Sequence, residues 1–231
     1  MHHIKFDENS IVLHHHLGFG DHIICNGMVR YLLKHTNAAT LWLVTKGKNI
    51  NNIKRMYADE NRINFIPVEQ DSDFYDAPYD WNTIRLVRAG FEKCKDNEFD
   101  KSFYDSVGVP FCERWDSFHF KRDASTESSV ISELDLPEKF GLVHNTSSIG
   151  SYDLNIATDI PLIHVKRTKN ESSMFDWMGV VDRATEIHCI DSSFIHMVES
   201  MNLPTQKLYY HNTKNNNIGF SRRNNWKVLN Y

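Results

Sequence analysis

Short apolar runs built like β-strands alternate along this chain with segments of helical periodicity, and they do so in two separate blocks. In the first block Ile11–His16, Thr40–Thr45 and Ile63–Val68 read as strands, with Pro67 marking the last as short or at a sheet edge. Between the first two, Ile23, Ile24, Gly27, Met28, Tyr31 and Leu32 recur at helical spacing, and Asn49–Tyr57 predicts a second helix. The second block offers strands at Phe140–His144, Pro161–Val165, Glu186–Ile190 and Lys207–His211, with helices over Met174–Arg183 and Ser192–Met201. The middle, about Gln70 to Lys139, is less regular, with helices expected over Phe91–Val107 and Asp123–Glu133. Strands alternating with helices call for parallel βαβ units, hence an α/β fold. The doubling of the pattern predicts two lobes, residues 1–110 and 111–231, each with its own parallel sheet.

Composition removes several classes of function. Lys plus Arg number 26 against 30 Asp plus Glu, a net charge of −4, so a nucleic-acid partner is not expected. No apolar run approaches the ~18 residues of a membrane-spanning helix, and the amino terminus has no apolar signal region. The expected location is therefore cytoplasmic, where the scattered Cys25, Cys94, Cys112 and Cys189 would stay reduced. Oligomeric state leaves no mark in the sequence.

Two strand-to-helix junctions carry polar chemistry. The first strand runs into Gly18-Phe19-Gly20-Asp21-His22, where glycines permit a tight turn and close approach, and Asp21 stands as a cap or first-turn acid. A dinucleotide fingerprint would need glycine where Ile23 stands, and the GK[ST] ending of a P-loop is missing. A methyltransferase-type glycine loop and a plain capped turn both remain open for this segment alone. In the second block, Ile187–Ile190 delivers Asp191-Ser192-Ser193 to a helix start, with His196 one turn inside. Asp191 or Ser192 is the expected cap, and the two hydroxyls suit phosphate oxygens. His144-Asn145-Thr146-Ser147-Ser148 forms another polar loop after a strand, and Lys166 and Arg167 follow the strand Pro161–Val165.

Taken together, these junctions resemble the heptosyltransferase-like glycosyltransferases. The first is similar to the family's amino-terminal signature, a Gly-Asp followed by a helix ending in Arg-x-Leu, here Gly20-Asp21 and then Arg30-Tyr31-Leu32. The second is similar to the family's Asp-Thr-Gly-x-x-His element, written here Asp191-Ser192-Ser193-Phe194-Ile195-His196, with the threonine hydroxyl kept and the glycine replaced. The resemblance implies a GT-B fold, two Rossmann-like lobes facing a cleft. It implies inverting, metal-independent transfer of a sugar from a nucleotide-diphospho-sugar to a glycan or other hydroxyl acceptor, with no cofactor beyond that co-substrate. Asp21 matches the catalytic base. His144, Asn145, Ser147, Lys166, Arg167, Asp191, Ser192, Ser193 and His196 would form the donor side, and Gly18, Gly20 and His22 the acceptor-side loop.

Three other readings compete with it. Asp71-Ser72-Asp73 could hold a divalent cation through Asp71 and Asp73 in a single-domain, metal-dependent GT-A transferase, while Asp76 and Asp80 point to a plain acidic loop instead. His14-His15-His16 with His2-His3 invites zinc, but neighbours in a strand alternate faces and no partner stands at finger-like spacing, so no metal is assigned. The third reading is a nucleotide- or sugar-binding module that kept the scaffold and lost catalysis.

Overall fold

The computed structural model describes residues 9–76, 84–91, 98–169, 173–213 and 220–231; His2, His3, Asp80, Cys94 and the start of the helix expected from Phe91 lie outside them. The chain divides into two compact units, Met1–Lys121 with Ile218–Ser221, and Arg122–Asn217 with Arg222–Tyr231. Each unit has its own parallel sheet.

In the first unit, β1 (Ser10–His14), β2 (Thr40–Lys46), β3 (Ile63–Val68) and β4 (Arg85–Arg88) form a sheet in the order β3-β2-β1-β4. The helices are α1 (Phe19–Ile24), α2 (Asn26–His35), α3 (Ile50–Met56), α4 (Phe99–Val107) and the single turn α5 (Glu113–Asp116). β1 is buried along its whole length, as a central parallel strand requires, with Val12 beside Trp42 on one side and Leu86 on the other. Val12, Leu17, Val44, Ile66, Val68 and Phe74 form a core cluster in this unit. β3 is an edge strand, the place where Pro67 can lack an N–H. β4 escapes sequence reading because arginines bracket its two apolar residues, Leu86 and Val87.

The helix expected after the glycine turn is broken in two at Cys25. In an unbroken helix the Met28 N–H would bond to the Ile24 carbonyl. The buried Tyr104 hydroxyl stands between them instead, donating to the Ile24 carbonyl (2.7 Å) and accepting from the Met28 N–H (3.3 Å). A side chain inserted into the ladder is a recognised cause of a helix break.

The division falls after Lys121, not near residue 110, because the segment 111–121 is clamped to the first unit. His119 exchanges two hydrogen bonds with the Asn26 amide (2.9 and 3.1 Å), and its carbonyl also accepts from Arg30 Nε (2.9 Å). Gly27 lies so close to α5 that a Cβ there would overlap the Glu113 carbonyl oxygen. Arg114 and Asp100, both fully buried, form an ion pair, and each also bonds to the backbone of Ser221.

The second unit comprises α6 (Ala124–Leu134), β5 (Gly141–His144), the antiparallel ribbon β6 (Thr146–Ser147) and β7 (Gly150–Ser151), β8 (Leu162–His164), α7 (Met178–Arg183), β9 (Glu186–Ile190), α8 (Ser193–Glu199), β10 (Lys207–Asn212) and β11 (Trp226–Asn230). Asp123 caps α6, its carboxylate accepting from the N–H groups of Ser125 and Thr126. The parallel strands follow the order β11-β10-β9-β5-β8. Among the described residues no helix is long and apolar enough to cross a membrane.

Candidate functional site

Strand order locates the sites before any side chain is considered. In an open parallel sheet, ligands bind outside the carboxyl ends of strands where the winding reverses, because the chain leaves there in opposite directions and opens a crevice. In the first sheet the reversal lies between β1 and β4; in the second it lies between β5 and β9. The first junction expected from sequence leaves β1, and the second leaves β5 and β9.

At the first junction the chain leaves β1 through Leu17 and Gly18 into α1. Gly18 is the helix cap and Gly20 and Asp21 lie in the first turn, so Asp21 is a first-turn acid and not the cap. Its Oδ2 accepts the Gly18 N–H at 3.1 Å, which fixes the half-buried carboxylate against the loop. The backbone at Gly18 (φ −67°) suits any residue, so turn geometry does not demand glycine there. Close approach does: a Cβ at Gly18 would stand 2.6 Å from Asp21 Oδ2. His22 is not on the acceptor-side surface. It is fully buried, its ring 4.3 Å from that of His15, and burial holds its pKa well below the ordinary value. Arg30 of the signature helix is structural, pairing with Asp59 (2.9 Å) and tying α2 to the carbonyls of Met56 and His119.

Among the described residues, neither metal reading gathers its ligands. Asp73 caps a 3₁₀ turn, its Oδ2 accepting the N–H groups of Glu69 and Gln70 (3.1 and 2.8 Å), while Asp71 pairs with Lys46 (3.2 Å). His14 bonds to the Tyr75 hydroxyl (2.8 Å) and packs on Phe91, as does His16, while His15 turns to His22. Among the described residues no group of three His, Cys, Asp or Glu side chains could hold a metal ion.

At the second junction β5 and β9 are neighbours, with His144 level with Cys189, so His144 and the Asp191–Ser193 turn emerge side by side. Ser192 Oγ and His144 Nδ1 are 3.2 Å apart, and the imidazole stacks flat on Phe194 at 4.6 Å between centres. Burial pushes the His144 pKa down to about 4, so the ring is neutral at physiological pH. Ser192 occupies the cap position of α8, but its hydroxyl makes no capping bond and turns to His144 instead. Ser193 Oγ points to Met174 Sδ (3.7 Å), and His196 is buried in α8. Asn145 closes the base of the β6–β7 ribbon, donating to the Tyr152 carbonyl (2.7 Å) while its own carbonyl accepts the Tyr152 N–H (2.9 Å). Ser147 serves the ribbon turn through the Ile149 N–H (3.3 Å). Lys166 and Arg167 are exposed beyond β8, the edge strand, with β5 between them and β9. Sequence reading missed Tyr210 and Arg222: the Arg222 guanidinium lies over the Tyr210 ring, 5.8 Å from its centre, and Tyr210 is level with Cys189. No motif signals either residue, since Tyr210 reads only as part of an apolar strand.

A glycosyl transferase family 9 structure from Veillonella parvula is similar to this chain with a TM-score of 0.57 at 10% identity, over 99% of this chain and 87% of that one. The fold is GT-B-like. The E. coli heptosyltransferase WaaC with ADP is also similar, with a TM-score of 0.48 at 7% identity over 96% of this chain and 90% of that one. No family model and no curated protein sequence matches the chain. The GT-B-like fold thus agrees with the expectation from the two junctions.

Proposed function

We propose that this chain is an inverting, metal-independent glycosyltransferase that moves a sugar from a nucleotide-diphospho-sugar to a hydroxyl acceptor. One observation carries the reading: on a GT-B-like fold, each of the two parallel sheets has its polar junction at its own winding reversal. The acceptor is assigned to the Gly18–Asp21 junction and the donor to the junction of His144, Asn145, Asp191, Ser192, Ser193 and His196. The Asp21 carboxylate takes the proton of the acceptor hydroxyl, the oxygen attacks the anomeric carbon from the face opposite the diphosphate, and the bond to the diphosphate breaks with its electron pair. The Gly18 N–H holds Asp21 Oδ2 in place, so the base is positioned before the acceptor arrives. Neutral His144 orients the Ser192 hydroxyl toward the donor's oxygens.

Asp21→Asn decides the catalytic part: turnover across a panel of nucleotide sugars should fall by about 10²–10⁴-fold, with nucleoside diphosphate affinity unchanged. The double change of Ser192 and His196 to Ala should weaken that affinity, and calorimetry showing wild-type binding would reject the donor assignment. A second reading draws on the capping bond of Asp21 to Gly18, which gives the carboxylate a structural task of its own. A nucleotide- or sugar-binding module without catalysis would bind the donor and leave it intact in every transfer and hydrolysis assay.

A further inference from the structure

The three consecutive histidines at the carboxyl end of β1 meet unlike fates. His14 and His15 are buried, and the Nε2 of each is sealed in the core without a hydrogen-bond partner. His16 is half-buried and reaches across the winding reversal: its Nε2 lies 3.1 Å from the carbonyl oxygen of Gly90, in the loop that leaves β4. A carbonyl only accepts, so the ring hydrogen is on Nε2 and Nδ1 keeps its lone pair. Among the described residues nothing donates to that Nδ1. Three rings pack on the imidazole, Phe91, Phe99 and Phe103, at 5.0, 5.3 and 5.4 Å between centres. The carbonyl is fixed as well. Gly90 has φ +82°, a conformation that favours glycine, its N–H donates to Ser106 Oγ (3.1 Å), and a Cβ there would stand 2.3 Å from the Phe103 ring. The loop thus forgoes a side chain at position 90 and presents its carbonyl to His16. Two peptide links separate His16 from Gly18, so their Cα atoms are at most about 7.6 Å apart, and the Gly18 N–H is bonded to Asp21 Oδ2 (3.1 Å). An oriented lone pair therefore stands in the crevice between β1 and β4, on the same junction as the carboxylate assigned as base. A sugar presents hydroxyls side by side, so one can react at Asp21 while another donates to His16.

We propose that His16 Nδ1 binds the acceptor by taking a hydrogen bond from a hydroxyl that does not react, so that the acceptor is a sugar and not a lone alcohol. The proposal rests on the acceptor reading given above, and the experiment separates the two. Transfer from the panel of nucleotide sugars to methyl glycosides is followed for the wild-type chain, His16→Phe, His16→Gln and His35→Gln, then repeated with the monodeoxy forms of the glycoside used best. His35 is an exposed imidazole on α2, stacked on Tyr31. His16→Phe keeps an aromatic ring among the three phenylalanines and should raise the glycoside KM about three- to tenfold, the loss of one neutral hydrogen bond. His16→Gln should fall in between, and His35→Gln should match the wild type. With the wild-type chain one monodeoxy glycoside should lose the same factor, and His16→Phe should then cost that glycoside nothing more, a non-additivity that a merely structural role does not give. Nitrogen NMR of the wild-type chain should show the His16 ring hydrogen on Nε2, a measurement that needs no variant to fold. A hydrogen on Nδ1, an unchanged KM in His16→Phe, or additive losses in the deoxy series overturns the role of His16 and leaves the transferase reading standing. Donor hydrolysis with transfer to none of the glycosides overturns the sugar acceptor in the same way. Neither hydrolysis nor transfer by the wild-type chain overturns both.

Discussion

Acid should unfold this protein well before its carboxylates protonate, because it folds around neutral imidazoles. His14, His15 and His211 are at most 1% exposed, and burial pushes each pKa down to about 4 from 6.5. In the first unit His14 lies against Phe74, Tyr75 and Phe91, and His15 against His22 and Phe103. In the second, His211 bridges His188 (3.0 Å) and the Tyr231 hydroxyl (2.7 Å). The folded rings stay neutral where the unfolded ones take up protons, so the unfolded state binds more protons below pH 6.5. Stability is therefore complete above that value and falls steadily toward pH 4. Between pH 7 and pH 5 each such imidazole costs about 2 kcal/mol, so His14 and His15 together remove about 4 kcal/mol from the first unit. That is a large part of the 5–15 kcal/mol typical of a folded domain. Urea unfolding followed by tryptophan fluorescence at pH 7 and pH 5 measures the loss directly. His15→Leu combined with His22→Leu should flatten the dependence by at least the share of His15. Equal stability at the two pH values, or an unchanged slope in the double variant, would refute the reasoning.

Other perturbations test single contacts. Gly18→Ala should leave the fold intact, since φ at Gly18 is ordinary, yet displace the Asp21 carboxylate and lower turnover; a fully active variant would show that the close approach is idle. Gly27→Ala should lower the unfolding free energy by about 1–3 kcal/mol despite alanine's better helix propensity, because the added methyl must push α5 away. Asp100→Asn strands the buried Arg114 charge and should cost about 3–5 kcal/mol in the same urea assay. Asn145→Ala should loosen the base of the β6–β7 ribbon and raise its rate of limited proteolysis, with the cleavage mapped by mass spectrometry.

The α/β class, the doubled parallel architecture and the two polar junctions are legible in the sequence, because alternation of period and apolar runs is a local property of neighbouring residues. The runs over Thr40–Lys46, Ile63–Val68 and Glu186–Ile190 are such strands. Where an isolated hydrogen bond decides, local pattern is silent. The break at Cys25 depends on Tyr104, some 80 residues away, and the division after Lys121 on the hold of Asn26, Gly27 and Arg30 over the segment that precedes it. His22 reads as part of a polar turn, but the helix start at Phe19 rotates it into the core. Ser192 reads as a cap, and only the pairing of β5 with β9 brings it to His144. Arg222 gains its place beside Tyr210 by a late return of the chain that no spacing announces. A sequence determines which residues want to be buried and in what period; which of them meet is settled by long-range packing, where the energy of one hydroxyl or one close approach outweighs local preference.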